Sequence, residues 1–267
     1  MERRLYRSGA QIMYSFIDAH AHYDDEKYDE DRDEIINSQF QNGVLAIVNA
    51  SSDLASSKAS FELAQKYDKI YAVVGCHPHE ADGFSEDDIA VYKEMLKNDK
   101  VVGVGECGLD YHYDLSERDV QKRVFHRMIE FADENNEPLV IHSRDAVEDT
   151  LTMLRSLRHG EKTLIHCFTG AKEVAREYLN LGYFLSIGGA VTFKNARHVV
   201  ESVEYAPLDR LLLETDAPYM TPVPYRGKRN LSVYIENVIN KIAEIKNVTP
   251  EEVAEITTKN ARFFYGI

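Results

Sequence analysis

SFIDAHAH (15–22) is a short apolar run that finishes on two histidines, His20 and His22, and runs of similar build recur along the chain. They are VLAIVNA (44–50), IYAVVGC (70–76), VVGVGEC (101–107), PLVIHS (138–143), TLIHCF (163–168), YFLSIG (183–188) and RLLLET (210–215). Each has the length and β-rich composition of a strand buried on both faces. Between them the spacing turns helical over 30–41, 53–67, 85–97, 117–136, 145–158, 171–181 and 194–203, with 232–246 and 250–263 after the last run. Strands joined by helical crossovers pair in parallel. Eight such units in a chain of 267 residues predict an α/β fold, a single-domain (β/α)8 TIM barrel over 13–267. Residues 1–12, MERRLYRSGAQI, carry no motif and read as a poorly ordered N-terminal extension, with Met13 an alternative start.

The formal net charge of −14 excludes a protein that coats nucleic acid through a broad basic surface. A nucleic-acid substrate stays open, because bound divalent cations would reverse the potential locally. No run of about 18 apolar residues and no signal-peptide pattern is present, so no membrane association is expected. Three cysteines fit a reducing compartment, and the expected location is cytoplasmic. The acidic stretch DDEKYDEDRDE (24–34) reads as a solvated loop and helix start. Nothing points to an obligate protein partner.

His20 and His22 are two residues apart, so the pleat of a strand puts both imidazoles on one side. Glu106 stands at the end of the fourth run, His142 of the fifth and His166 in the sixth, while Asp216 follows the eighth. All six thus fall at strand C-terminal ends, the face on which barrel enzymes assemble their sites. Four imidazoles and two carboxylates there are costly to bury unless a cation pairs them; the alternative is a hydrogen-bonded polar mouth without metal. Six donors exceed the needs of one catalytic zinc. Two divalent ions (Zn, Mn or Mg) use them better, with His20, His22 and Asp216 on one, His142 and His166 on the other, and Glu106 bridging. Such a pair, about 3.5–4 Å apart, would acidify a shared water and stabilise an in-line displacement at phosphorus. Asp216 could accept the water's proton.

HPHE (77–80) places His77 at the same mouth, as a phosphate or leaving-group contact or as a group that orients the ligands. His112 in GLDYH (108–112) reads similarly, while His126, His159 and His198 read as ordinary surface or packing residues. Arg144 adjoins His142, and Arg226, Lys228 and Arg229 crowd PYRGKRN (224–230); these are the cations best placed for an anionic substrate. For Lys228 and Arg229 a merely solvated loop is the competing reading. Strand alternation should turn Cys107 and Cys167 toward the helix layer, away from Glu106 and His166, which argues against a thiolate nucleophile. No Gly-x-Ser-x-Gly elbow is present, and SIGGA (186–190) reads as close packing or a tight turn.

In FIDAHAH (16–22), GCHPHEA (75–81), GECGLDYH (105–112), PLVIHSRDA (138–146), HCFTG (166–170), LLLETDAPYMTPVPYRGKRN (211–230) and NARFFYG (260–266) the chain resembles the TatD family of metal-dependent deoxyribonucleases, within the amidohydrolase-like barrels. The resemblance implies divalent-metal dependence and hydrolysis of DNA phosphodiesters, as a 3′–5′ exonuclease on single strands or 3′ ends. It makes His20, His22, Glu106, His142, His166 and Asp216 the metal ligands. After GKRN the family continues with Glu-Pro, whereas this chain has Leu231-Ser232. Two other functions remain: an amidohydrolase-type hydrolase of an amide, ester or lactone, and a barrel that binds metal or a partner without catalysis.

Overall fold

The computed structural model describes residues 14–157 and 162–267. The sequence readings of 1–12, Met13 and His159 lie outside those residues. All eight apolar runs form strands: β1 (Phe16–Ala21), β2 (Val44–Asn49), β3 (Ile70–Val74), β4 (Val101–Asp110), β5 (Leu139–Arg144), β6 (Thr163–Ile165), β7 (Phe184–Ile187) and β8 (Leu211–Leu213). They pair in parallel, in chain order, as one eight-stranded sheet. The helices are α1 (Arg32–Gln41), α2 (Leu54–Lys66), α3 (Glu86–Met95), α4 (Arg118–Asn135), α5 (Val147–Leu157), α6 (Lys172–Asn180), α7 (Arg197–Tyr205), α8 (Ile235–Lys246) and α9 (Pro250–Tyr265). No helix of the described residues is long and apolar enough to cross a membrane.

Closure brings β8 back to β1 through a parallel bridge between Ala21 and Ala217. Asp216 N donates to His20 O at 3.0 Å and His22 N to Ala217 O at 2.7 Å, so the seam is sewn at the residues that matter for the site. Small and branched side chains fill the lumen, among them Ile17, Ala19, Val48, Val73, Val102, Val140, Leu164, Phe184 and Leu212. Phe264 and Tyr265 at the end of α9 pack into the same cluster, and Tyr265 Oη donates to Ala19 O at 2.8 Å. A second, larger apolar layer lies between sheet and helices and includes Phe16, Ala21, Val104 and Leu109.

Two strands depart from regular pleating, and both departures aim functional side chains. β1 holds one residue more than β2 between the pairs Asp18–Ile47 and Ala21–Asn49. Ile17 and Ala19 therefore belong to the lumen while Ala21 belongs to the outer layer, and His20 and His22 face the mouth together. β4 gains a residue against β3 between Val101 and Val104, and another against β5 between Val104 and Cys107. Glycine makes this path possible. Gly105 and Gly108 have φ of +141° and +142°, and a Cβ on them would stand 2.5 Å from Val140 O and 2.0 Å from His142 O.

The strand limits correct the sequence expectation at the mouth. β4 continues to Asp110, so Glu106 lies inside the strand and does not close it. β6 and β8 stop early, at Ile165 and Leu213, which puts His166 and Asp216 on the loops beyond them. α7 starts at Arg197, three residues after the expected 194, because Lys194 and Asn195 form a turn; a 3-10 turn over Gly189–Thr192 precedes them. Gly189 is required there, since its Cβ would come within 1.9 Å of Met220 O, in agreement with the close-packing reading of SIGGA.

Gly108→Ala is expected to destabilise the protein by about 2 kcal/mol or more, through a left-handed φ and overpacking together. Gly83→Ala, where a Cβ meets nothing within 4 Å, should stay within about 0.5 kcal/mol of the parent. Denaturant midpoints of the two variants check this.

Candidate metal centre

The Glu106 side chain is buried at the centre of the mouth, and its two oxygens face different imidazoles. Oε2 lies 3.1 Å from His20 Nε2 and 3.6 Å from His22 Nε2. Oε1 lies 2.7 Å from His166 Nε2, 2.9 Å from His142 Nδ1 and 3.3 Å from His77 Nε2. Asp216 Oδ1 completes the first group at 3.4 Å from His22 Nε2 and 3.9 Å from His20 Nε2. Strands β1, β4 and β5 and the loops after β3, β6 and β8 thus deliver one cluster. Burial works against the Glu106 charge, yet His166, His77 and His20 outweigh it and hold the carboxyl well below its usual range.

Outer partners fix which ring nitrogen each imidazole presents. His22 Nδ1 lies 3.1 Å from Ala50 O, and a carbonyl only accepts, so Nδ1 donates and Nε2 is turned to the cluster. On the other side His142 Nε2 is 3.0 Å from Asp110 Oδ2, which leaves Nδ1 toward Glu106. The backbone amides of His112 and Tyr113 both donate to Asp110 Oδ1 at 2.9 Å. Despite burial, the bonds from His142, the Tyr113 amide and His79 hold the Asp110 carboxyl below its usual range. His79 Nε2 shares Asp110 Oδ2 at 2.9 Å. His166 Nδ1 is 3.7 Å from Glu214 Oε1, and Glu214 accepts from Ser186 Oγ through its other oxygen.

Charge and spacing in this cluster suit cations. Burial alone would depress the His22 imidazole, but Asp216 and Glu106 push it up to about 9. The His20 and His166 rings stack with centroids 4.0 Å apart, and burial together with the neighbouring His166 lowers His20. Two nitrogens bound about 2.1 Å from one ion at the tetrahedral angle are about 3.4 Å apart. The pairs His20 Nε2–His22 Nε2 and His142 Nδ1–His166 Nε2 are each at 3.2 Å. Three overlapping groups could hold an ion: His20, His22 and Asp216; His20, Glu106 and His166; and His77, Glu106 and His142. The donor set, mixed imidazole and carboxylate, fits borderline divalent metals better than Mg.

The remaining sequence candidates divide. His77, expected at the substrate, lies against Glu106 and packs edge-on to His142 with ring centroids 4.5 Å apart; burial pushes it down to about 4. His112 stands apart, exposed, with Nδ1 3.0 Å from Asp145 Oδ2. Arg144 lies 4.7 Å from the Tyr113 ring centroid and Arg226 3.9 Å from that of Phe193. Lys228 is exposed, 5.6 Å from the Tyr225 ring. None of these three cations has a carboxylate partner among the described residues. Arg229 does, gripping Asp31 at 2.9 and 2.6 Å, so it fastens its loop to the acidic stretch that the sequence presented as merely solvated.

Cys76 and Cys107 are buried in the outer layer, as alternation predicts for Cys107. Cys167 corrects its expectation. The strand has ended at Ile165 and Cys167 adopts φ +46°, so alternation no longer applies and the thiol comes against Glu214. Burial and that carboxylate push the thiol well above its ordinary range, which still leaves no thiolate. Asp110 and Glu214 went unpredicted. Their signal was an extra acidic residue near a cluster candidate, Asp110 in GECGLD, four residues after Glu106, and Glu214 in LLLET, two residues before Asp216.

Residues 17–266 match the model of the TatD related DNase family. The chain is 46% identical over 254 residues to the metal-dependent hydrolase YabD of Bacillus subtilis, itself uncharacterized, covering 94% of this chain and 99% of that protein. It is 37% identical to the uncharacterized metal-dependent hydrolase TatD of Mycobacterium tuberculosis, covering 84% and 87% of the two chains. Among solved structures, YjjV, a TatD homolog from Escherichia coli K12, superposes with a TM-score of 0.89 at 26% identity, covering 94% and 98%. The motifs spread from β1 to α9, the barrel and the full-length match agree: the chain belongs to the TatD related DNase family.

Proposed function

We propose that this metal-dependent hydrolase of the TatD family cleaves DNA phosphodiester bonds, removing nucleotides from single-stranded 3′ ends. The observation that carries the reading is the Glu106 carboxylate, with one oxygen toward His20 and His22 and the other toward His142 and His166. In this reading His20, His22 and Asp216 would hold one divalent ion and His142 and His166 a second, with Glu106 a ligand common to the two groups. When bound, two such ions supply Lewis-acid stabilisation of phosphate oxygens and lower the pKa of water. The family match supports DNA as the substrate.

The chain's own groups do the rest. Burial opposes the Asp216 charge, but His22 holds the carboxyl below its usual range, so it is ionised near neutral pH and able to accept a proton. Its side chain is 18% exposed, enough to meet a reacting water. Arg144 and Arg226, free of carboxylates among the described residues, hold phosphate oxygens, and Lys228 and His112 add contacts at the rim. His77, kept neutral, accepts from His79 N through Nδ1 at 3.1 Å and turns Nε2 to Glu106 at 3.3 Å, so its role is to orient that carboxylate. Cys76, Cys107 and Cys167 form no disulfide among the described residues, which suits a reducing compartment, and the cytoplasm is the proposed place of action.

End-labelled single-stranded DNA should be shortened from its 3′ end, and Asp216→Asn should lower kcat by about 10²–10⁴-fold. Hydrolysis of an amide, ester or lactone panel with the DNA left whole would sink the nuclease reading in favour of the acyl one. Chelation should abolish activity, and titrating back Zn, Mn or Mg should restore it with a stoichiometry of two ions. Asp110→Asn, which loosens His142, is expected to weaken metal affinity by about 10–100-fold in chelator competition while the melting profile of the metal-free protein holds.

A further inference from the structure

Among the described residues, six large apolar side chains are most open to solvent; Phe263 (63% exposed) and Tyr205 (45%) stand on α9 and α7, and the other four lie on loops at the mouth. Tyr113 (55% exposed) and Leu115 (63%) stand on the loop after β4, Tyr219 (46%) and Val223 (42%) on the loop after β8. In an eight-stranded barrel with strands in chain order, β4 and β8 are opposite each other. In a chain of net charge −14, each aromatic at this rim nevertheless has a cation at its side. Arg144 lies 4.7 Å from Tyr113, Lys27 4.0 Å from Tyr219 and Arg226 3.9 Å from Phe193, measured to the ring centroids. Scattered exposed aromatics need no explanation, but cation-paired aromatics on both sides of a metal-ligand cluster do.

The two sides are built differently. On the β4 side the Tyr113 ring is open, 5.4 Å from the ring of His79, which is itself 6.2 Å from that of His142. On the far side there is a cavity of about 210 Å³ lined by Thr169, Phe193, Asn195, His198 and Met220, among others. Thr169 is three residues past His166 and Met220 four past Asp216, so the loops after β6 and β8 that carry His166 and Asp216 also line the cavity. Its volume is below the roughly 300–1,000 Å³ of sites that take drug-sized ligands, so it admits one heterocycle and excludes a duplex. Asn195, Thr169 and His198 bring donors and acceptors for the edge of such a ring.

Resting on the nuclease reading, we propose that Tyr113 and the Phe193 cavity hold bases of a single-stranded polynucleotide on opposite sides of the bond that is cut. Arg144 and Arg226 pair the phosphates next to those bases. Aromatic faces accept any base, and the adjoining guanidiniums supply the positive charge that an acidic chain otherwise lacks. Paired bases inside a duplex have no free face to offer, so the arrangement selects single strands.

The test is a chemical double-mutant cycle on a short end-labelled oligonucleotide and on copies lacking one base. Tyr113→Ala and Phe193→Ala are each expected to lower kcat/KM by about tenfold to a hundredfold on the full oligonucleotide. Removing the base on one side of the cleaved bond should reduce the further effect of Tyr113→Ala to about twofold or less, and removing the base on the other side should do so for Phe193→Ala. Tyr113→Phe and Phe193→Tyr keep a ring and should keep most of the activity, while metal content and melting curves check that each variant folds. Losses of the same size with and without the base, or no loss at all, overturn the two base sites while leaving the nuclease reading intact. A parent enzyme that cuts none of the oligonucleotides overturns both.

Discussion

A buried carboxylate with imidazoles on both of its oxygens is the constraint on which the rest of this molecule depends. Taking the Glu106 charge out of water is expensive, and only close positive or donor groups offset it. Those groups come from four other places in the barrel, so the ends of β1, β3, β5 and β6 must all converge to within about a hydrogen-bond length of Glu106 on β4. The register of β4 follows from this need. Its two extra residues and its contact of bare glycine backbone with β5 carry Glu106 across the axis of the mouth.

The seam between β1 and β8 is held by side chains as much as by the sheet. Asp18 Oδ1 accepts from Thr215 N at 3.0 Å, and Oδ2 accepts from Thr215 Oγ1 at 2.7 Å and Ser232 Oγ at 2.6 Å. Tyr23 Oη receives Ser232 N at 3.0 Å and so ties the start of the α8 region to the same seam. Burial pushes the Asp18 carboxyl up to about 7 against the pull of these bonds. Leu231 and Ser232 stand where the family continues with Glu-Pro, and both are buried. In this chain the departure is an anchoring device: the serine supplies a hydroxyl and an amide to the closure that positions His20 and Asp216.

Legibility from sequence followed the physics of each element. The eight strands were readable because strands buried on both faces must be continuously apolar, and LLL or VVGV has no other use in an α/β chain. The six cluster residues were readable because imidazoles and carboxylates gather at the C-terminal ends of those runs, with Asp18 inside β1 the exception. What escaped was local. The bulges in β1 and β4 leave no mark in hydrophobic periodicity, so the phase change at Ala19–His20 and the extension to Asp110 came only with the register. Cys167 escaped because alternation was carried past a strand that stops at Ile165. Pairings such as Arg229 with Asp31 join positions 198 residues apart, a distance at which composition says nothing.

The floor of the lumen has a consequence for how the molecule comes to exist in time. Phe264 and Tyr265 seal the lumen, and Tyr265 Oη bonds Ala19, 246 residues earlier in the chain. Synthesis from the N-terminus therefore presents all eight strands before α9, which plugs them, is made. During that interval the apolar lumen and the open edges of β1 and β8 are exposed, and such long-range closure is slow. His20 sits one residue past the atom that Tyr265 grips. The mouth thus takes its final shape only after α9 has been synthesised, so a shorter nascent chain has no finished metal-ligand cluster.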